Sequence, residues 1–375
     1  MSREIAFRYN LLRGGGFYAR LRAVEESAPH IRMQGDGQIK MSFSGTFSSI
    51  AVDVDGRPMD IDWLSDEVQP VMILDGVEHP LGVYIPTTQT VSANSNGGIA
   101  NIEAYDRAQR VMDTNSAELL YWPAGTRYLD AVGQLLTAAG ITTVFKTDSA
   151  AAFTEDREDW APGTPYLTVI NDLLREINYK DLWFNADGAA MLEPAAVPEA
   201  SQIRHVLDAS DPESMIEQGA TRGNDYFSAP NVFEAYVANP DKTGIMRAVA
   251  VNDNPQSPLS TVRRGRQIVQ VTKLDNIADQ AALQAFVDRQ RNDSLMAGET
   301  VTFTTGLKTD WGVGDVVGLH IPAHKSRLFT PDGKVEIEDE PEITAVCLSR
   351  AYDMELKVGG KMRHTLERVV YALDT

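Results

Sequence analysis

The chain has 375 residues, 43% hydrophobic and 23% charged, the composition of an ordinary globular protein with room for two or three cores. Asp and Glu number 53 against 34 Lys and Arg, a formal charge of −19 spread along the chain, which excludes the basic stripe that a nucleic-acid binder uses to displace counterions from phosphates. Cys347 is the only cysteine, so an intrachain disulfide and a cysteine metal cluster are both excluded.

The opening MSREIAFRYNLLRGGG carries charges through its apolar residues and offers no signal-peptide core or cleavage site. No run approaches the roughly 18 apolar residues of a bilayer span. Synthesis and assembly in a reducing cytoplasm are therefore expected. Residues 1–115 then read as strands and turns. RLRAVEE and QIKMSFSGTF alternate, with Ile39, Met41 and Phe43 on one face and Lys40, Ser42 and Ser44 on the other. Asp75 and Gly76 stand between two apolar runs, a hairpin signal because a type I′ turn needs positive φ at both central residues. NIEAYDRAQRVMD closes this region.

From about 116 the period changes to 3.6. GTRYLDAVGQLLTAAGI, from Gly125, places Leu129, Val132, Gly133, Leu136 and Ala139 on one helical stripe, with Thr126 as N-cap and Gly140 at the end. GTPYLTVINDLLREINYKDLWFNADG, from Gly163, repeats it with Leu167, Ile170, Leu174 and Ile177, Thr164 capping and Pro165 in the first helical position. Only the second copy is followed by a predicted hairpin, DLWFN and AAMLEP, turning at Asp187 and Gly188. Two helices packed together and on a hairpin make an α+β insert at 116–200.

Residues 201–375 return to strand patterns, with one helix at about 276–297. Its core stripe is Leu283, Phe286 and Val287, Asp279 sits in its first turn and Gly298 stops it. Gly314 turns the chain into the strand VVGLHIP. The expected fold is thus mainly β with an α+β insert: two antiparallel β-barrel-like domains, 1–115 and 201–375, plus the helix-pair and hairpin domain.

Candidate chemistry is sparse. His320 and His324 have the i,i+4 spacing of a helical metal site, but Pro322 between them argues against a helix. Asp53, Asp55, Asp60 and Asp62 are dense in carboxylates yet lack the order of a calcium loop, so an Asp55-Gly56 hairpin turn is expected. The glycines at 14–16 lack the Gly-Lys-Ser/Thr of a phosphate loop, no nucleophile elbow occurs, and Cys347 has no evident histidine partner. Trp183 and Trp311 beside turns are candidates for stacking a sugar, though aromatics there more commonly close a domain edge. No catalytic residue, cofactor or metal is assigned.

The order of these pieces carries a resemblance. A strand-rich start ending in LDG…PLGVYIP, the YDRAQ closure, the paired helices, the late helix ADQAALQAFVDRQR and finally VGDVVGLHIP together resemble the central hub proteins of bacteriophage tails, similar to late control protein D. The likeness spans most of the chain and fits KSRLFTPDGKVEIEDEPEITAV, after about 322, least well. It implies a non-enzymatic virion protein, assembled in the host cytoplasm. Its copies would form a homotrimeric ring in which six barrels face the tail tube, with the insert outside. The implied partners are the tail tube and distal tail proteins, a central spike or tip protein and the tape-measure protein, without specific nucleic-acid binding or membrane insertion. DNA would cross the ring through an acidic bore, for which Glu25, Glu26 and Asp315 are the lumen-facing candidates. The alternatives are a tail-associated cell-wall hydrolase or carbohydrate-binding protein, and a multidomain bacterial binding protein unrelated to phage.

Overall fold

The computed structural model describes the chain except residues 1–3, 25–27, 95–96, 196–197, 218–219, 224–228, 238–245, 256, 258, 275–276, 278, 297–299, 313, 323, 330–334, 341–342 and 370–375. The fold is mainly β, with a small helical part. Strand Ile5–Arg13 lies antiparallel between Gly16–Leu21 and Glu67–Leu74. The hairpin Glu67–Leu74 and Val77–Pro80 turns at Asp75 and Gly76, whose φ values of 50° and 83° are both positive. Of RLRAVEE, Arg20 and Leu21 end strand Gly16–Leu21, Ala23 makes an isolated bridge to Phe47, and Glu25 and Glu26 lie outside the described residues.

The two β regions share one sheet. His30–Gln34 pairs antiparallel with Ile343–Glu355, Met33 opposite Tyr352 and Ile31 opposite Met354. A continuous path of strands consequently runs from Thr221–Gly223 at one end to Pro58–Met59 at the other, and the described strands do not close into barrels. One hydrophobic core follows that path, joining Tyr9, Phe43, Phe47 and Tyr84 to Phe303, Val317 and Leu366. At its centre the rings of Tyr9 and Phe47 meet edge to face at 5.1 Å, and Phe43 lies 5.4 Å from Tyr84. Lys40, which alternation puts on the polar face, is buried, its Nζ donating to the Gly35 carbonyl at 2.7 Å.

In the insert the helices run Tyr128–Ala138 and Tyr166–Glu176 and pack into one core with Trp122, Phe153, Trp160 and Phe184. The duplication begins earlier than the helices themselves. Trp122 and Trp160, 38 residues apart like Gly125 and Gly163, meet edge to face at 5.9 Å. Each indole donates to the residue twelve positions on, Trp122 to Gln134 at 2.9 Å and Trp160 to Asp172 at 3.1 Å. Gly125 and Gly163 have φ of 87° and 85°, so both copies enter their helix through the same left-handed turn.

Thr126 and Thr164 do not cap these helices. Their hydroxyls donate backwards to the carbonyls of Pro123 and Ala161, and the N-caps are Arg127 and Pro165, neither with a side-chain cap bond. Main-chain carbonyls of the loops take the leading amides instead: Tyr128 N–H donates to Ala151 at 3.2 Å and Tyr166 N–H to Thr114 at 2.8 Å. The first copy also has its own strand, Val144–Lys146, parallel to Ala190–Leu192 and completing a three-stranded sheet with Trp183–Phe184. Helix Ala108–Asp113, in the segment read as the close of the β region, contributes Ala108 and Val111 to the insert core.

Helix Gln280–Met296 does not pack on the large sheet. Leu283, Phe286 and Val287 pack on Phe233, Ala235, Ala248 and Ala250 of a separate sheet built from Val232–Val237, Met246–Val251 and Val269–Leu274. The Asp279 carboxylate accepts from Ala282 N–H at 2.7 Å as a side-chain cap, while Gly298 lies outside the described residues.

Candidate assembly surface

The insert is clamped to the sheet by an ion pair and a close glycine contact. Arg107 donates through Nε and Nη2 to both oxygens of Glu67, at 3.1 and 2.6 Å, and through Nη1 to the Gly188 carbonyl at 2.8 Å. Glu67 is 4% exposed, so the pair is desolvated and its geometry is held on both sides. Gly188 has φ of 76°, and a Cβ there would come within 2.8 Å of the Val83 side chain and 3.2 Å of Arg107 Nη1. Gly188→Ala is expected to cost about 1–3 kcal/mol, through left-handed strain and lost contact between hairpin and sheet, read as a shift of the thermal midpoint. A midpoint equal to wild type would show that the turn is free to move.

Asp106 lies in the same junction. Its two carboxylate oxygens accept from Ala108 N–H and Met41 N–H, each at 2.9 Å, tying the insert's first helix to strand Met41–Ser48. Burial raises its pKa from 3.8 to about 6. The folded chain therefore holds this proton more tightly than the unfolded chain. Its contribution to stability falls by roughly 3 kcal/mol as pH rises from about 4 to about 6, and stays low above that. Asp106→Asn is expected to remove that slope from unfolding curves taken across pH 4–7; a variant with the wild-type slope would exclude Asp106 as its source.

The sequence-derived site residues are dispersed. Asp315 is not a free acid: its carboxylate accepts from Gly312 N–H at 2.6 Å and lies 3.2 Å from both His205 Nε2 and Arg204 Nη1. These partners hold its pKa below the usual carboxylate range against the opposing effect of burial. Trp311 is buried, stacks on His205 at 4.3 Å and donates to Ser349 at 2.8 Å, so its faces belong to the core and not to a sugar platform. Glu25 and Glu26 lie outside the described residues. Gly314, φ 71°, stands beside Asp315 ahead of strand Val316–Ile321.

His320 and His324 fall on two different strands, Val316–Ile321 and His324–Phe329. Asp53 closes the Gly56 turn, accepting from the amides of Asp55 and Arg57 at 2.9 and 2.8 Å, while Asp60 accepts from the Tyr18 hydroxyl at 2.6 Å. Among the described residues no three His, Cys, Asp or Glu side chains converge as a metal site.

What the large sheet does offer is an edge. Strand Tyr84–Asn94 pairs along its whole length with Gly97–Asp106, but on its other side, among the described residues, only Tyr84 pairs, with Val68. Beyond that point residues 87–92 are exposed, including Val91 at 52%. Such a run presents main-chain donors and acceptors to any neighbouring strand. Composition alone did not mark it, and YIPTTQTVSAN carries no regular alternation that would have.

No family model matches the chain, and no curated protein sequence matches it. Solved structures do. A tail protein from Neisseria meningitidis MC58 superposes with a TM-score of 0.63 over 97% of both chains, at 16% identity. The chain has the fold of bacteriophage tail proteins. The 43 kDa tail protein of prophage MuSo2 from Shewanella oneidensis superposes at 0.60 and 11% identity, over 97% of this chain and 98% of that one. Prophage tail protein gp18 from Listeria monocytogenes EGD-e gives 0.55 and 12%, over 96% and 94%. Each of these superpositions covers almost the whole of this chain.

Proposed function

We propose that the chain is a structural component of a phage tail baseplate or tip: a hub that closes with two further copies into a ring, joins the tail tube to the distal spike or tip, and leaves a channel for DNA. The observation that carries this reading is the long, exposed edge of Tyr84–Asn94 on a frame whose insert is clamped in place. A soluble monomer normally blunts such an edge, whereas a ring pairs or covers it with the neighbouring copy. Tube, spike or tip and tape-measure proteins are then the partners, the domain division at about 115 and 200 separates ring from outer platform, and the virion is the place of action.

The charge fits the same role. A formal −19 per copy gives a ring a field that repels DNA phosphates, so a passing duplex does not adhere. Light scattering after size exclusion, followed by imaging of the purified particle, tests the reading: the mass of three chains and a threefold ring are expected. A monomer at every concentration, alone and with tail tube present, would sink it.

A further inference from the structure

The path of the large sheet contains one four-stranded unit twice. Thr221–Gly223, Thr300–Gly306, Lys361–Arg368 and Ile343–Glu355 lie side by side in that order, each antiparallel to the next. His30–Gln34, Met41–Ser48, Gly97–Asp106 and Tyr84–Asn94 follow with the same order and the same sense. The last strand of each unit carries one extra residue at a bulge, Arg350 between Ser349 and Ala351 and Thr87 between Pro86 and Thr88. Ahead of the bulge both strands pair with a strand of their own half, Cys347 with Val317 and Tyr84 with Val68.

Matching the two bulges aligns the units residue by residue. Thr90, Val91 and Ser92 then correspond to Asp353, Met354 and Glu355. On the leading strands, followed through the ladders, His30, Ile31 and Arg32 correspond to Thr221, Arg222 and Gly223. Beyond its bulge Ile343–Glu355 pairs with the leading strand of the other unit: Glu355 faces His30, Met354 faces Ile31 and Asp353 faces Arg32. Met354 is consequently 3% exposed. Beyond its own bulge Tyr84–Asn94 meets no further strand among the described residues, and Val91, the counterpart of Met354, is 52% exposed although Ala100 opposite it is buried. At the other end of the repeat, Thr221–Gly223 lies beside Thr300–Gly306 and its far side meets no strand among the described residues. Each chain thus has one joint between units made and the two halves of a second left open.

The geometry points to the second joint forming between copies: the Tyr84–Asn94 edge of one chain takes up strand Thr221–Gly223 of the next. The pairing is antiparallel, with Ser92 opposite Thr221, Val91 opposite Arg222 and Thr90 opposite Gly223, the register that the first joint shows between Ile343–Glu355 and His30–Gln34. The two edges differ, so the contact is head-to-tail, the kind that closes into a ring when the rotation allows. It rests on the ring reading above and adds which strands meet and in what register.

A pair of cysteines tests it. Residues directly opposite in an antiparallel pair have Cα atoms about 4.5–5.5 Å apart, within reach of a disulfide, whereas diagonal neighbours at about 7–8 Å are not. Ser92 and Thr221 are both exposed and the native Cys347 is buried. Mild oxidation of the double variant Ser92→Cys, Thr221→Cys is expected to give covalent dimers and trimers on a non-reducing gel, while each single variant runs as a single chain. Thr90→Cys with Thr221→Cys, two residues out of register, is expected to cross-link at least tenfold more slowly; if it is the faster pair, the register is overturned. Independently, amide hydrogens of residues 87–92 in the wild-type chain are expected to exchange at least tenfold more slowly in the oligomer than in dilute single chains. Oligomers of wild-type mass that neither cross-link through Ser92 and Thr221 nor protect residues 87–92 would overturn this contact and leave the ring standing. Wild-type chain that never associates would overturn both.

Discussion

Arg157→Met is expected to lower stability by about 3–5 kcal/mol, the largest loss from any single substitution considered for this chain. Arg157 has only 3% of its side chain exposed, inside the insert core. Its Nη1 and Nη2 donate to the two oxygens of Glu176 at 2.7 and 2.9 Å, its Nε pairs with Asp159, and its guanidinium lies over the rings of Phe153 and Trp160 at 5.1 and 5.0 Å. Glu176 also accepts from the Tyr128 hydroxyl at 2.9 Å, so one carboxylate joins both helices to the loop between them.

Removing the arginine leaves that carboxylate buried and without its counter-charge. Burial already raises the Glu176 pKa, and loss of the guanidinium would raise it further. The Arg157→Met deficit should accordingly shrink as pH falls toward the carboxylate range, because a protonated Glu176 no longer carries an unpaired charge. Arg157→Met with Glu176→Leu should recover much of the loss, since a well-packed apolar pair replaces a desolvated ion pair at little net cost. Urea midpoints of the three variants decide the matter. A loss below about 1 kcal/mol for Arg157→Met would mean that the pair contributes no more than a surface bridge.

The second large effect is on assembly and not on folding. Val91 is 52% exposed on the outer strand and pairs with Ala100 on its inner side, so a lysine there costs the isolated chain little, within about 0.5 kcal/mol. An edge-strand lysine is, however, a natural device against strand-to-strand association. Val91→Lys is expected to raise the concentration needed for oligomers at least tenfold while the thermal midpoint holds. Unchanged association would remove the Tyr84–Asn94 edge from the ring.

Local signals were legible where neighbours in the chain determine the outcome. The stripe of Leu129, Val132 and Leu136 and that of Leu167, Ile170 and Leu174 are buried in one core, and Leu283, Phe286 and Val287 cover a sheet. The duplication was visible too, but its start at Trp122 and Trp160 was not. A tryptophan ahead of a turn reads the same whether it meets its counterpart or closes an edge, and only the packed pair shows the former. Capping failed for a related reason. Thr126 and Thr164 have the right chemistry, yet the amides they would satisfy are taken by carbonyls of Ala151 and Thr114 brought in by the rest of the insert.

By itself the amino-acid order determined the β-rich frame, the duplicated helices and the glycine turns, because hydrophobic period and positive φ depend on residues a few positions apart. Only the tertiary structure decided that the two β regions share one sheet, where His30 meets Asp353 across 323 residues. It also decided that Lys40 is buried, that Asp315 is occupied by His205 and Arg204, and that one side of Tyr84–Asn94 stays open. Alternation along a strand chooses which face is buried but says nothing about which edge it will meet, and that choice is made by strands far away in the chain.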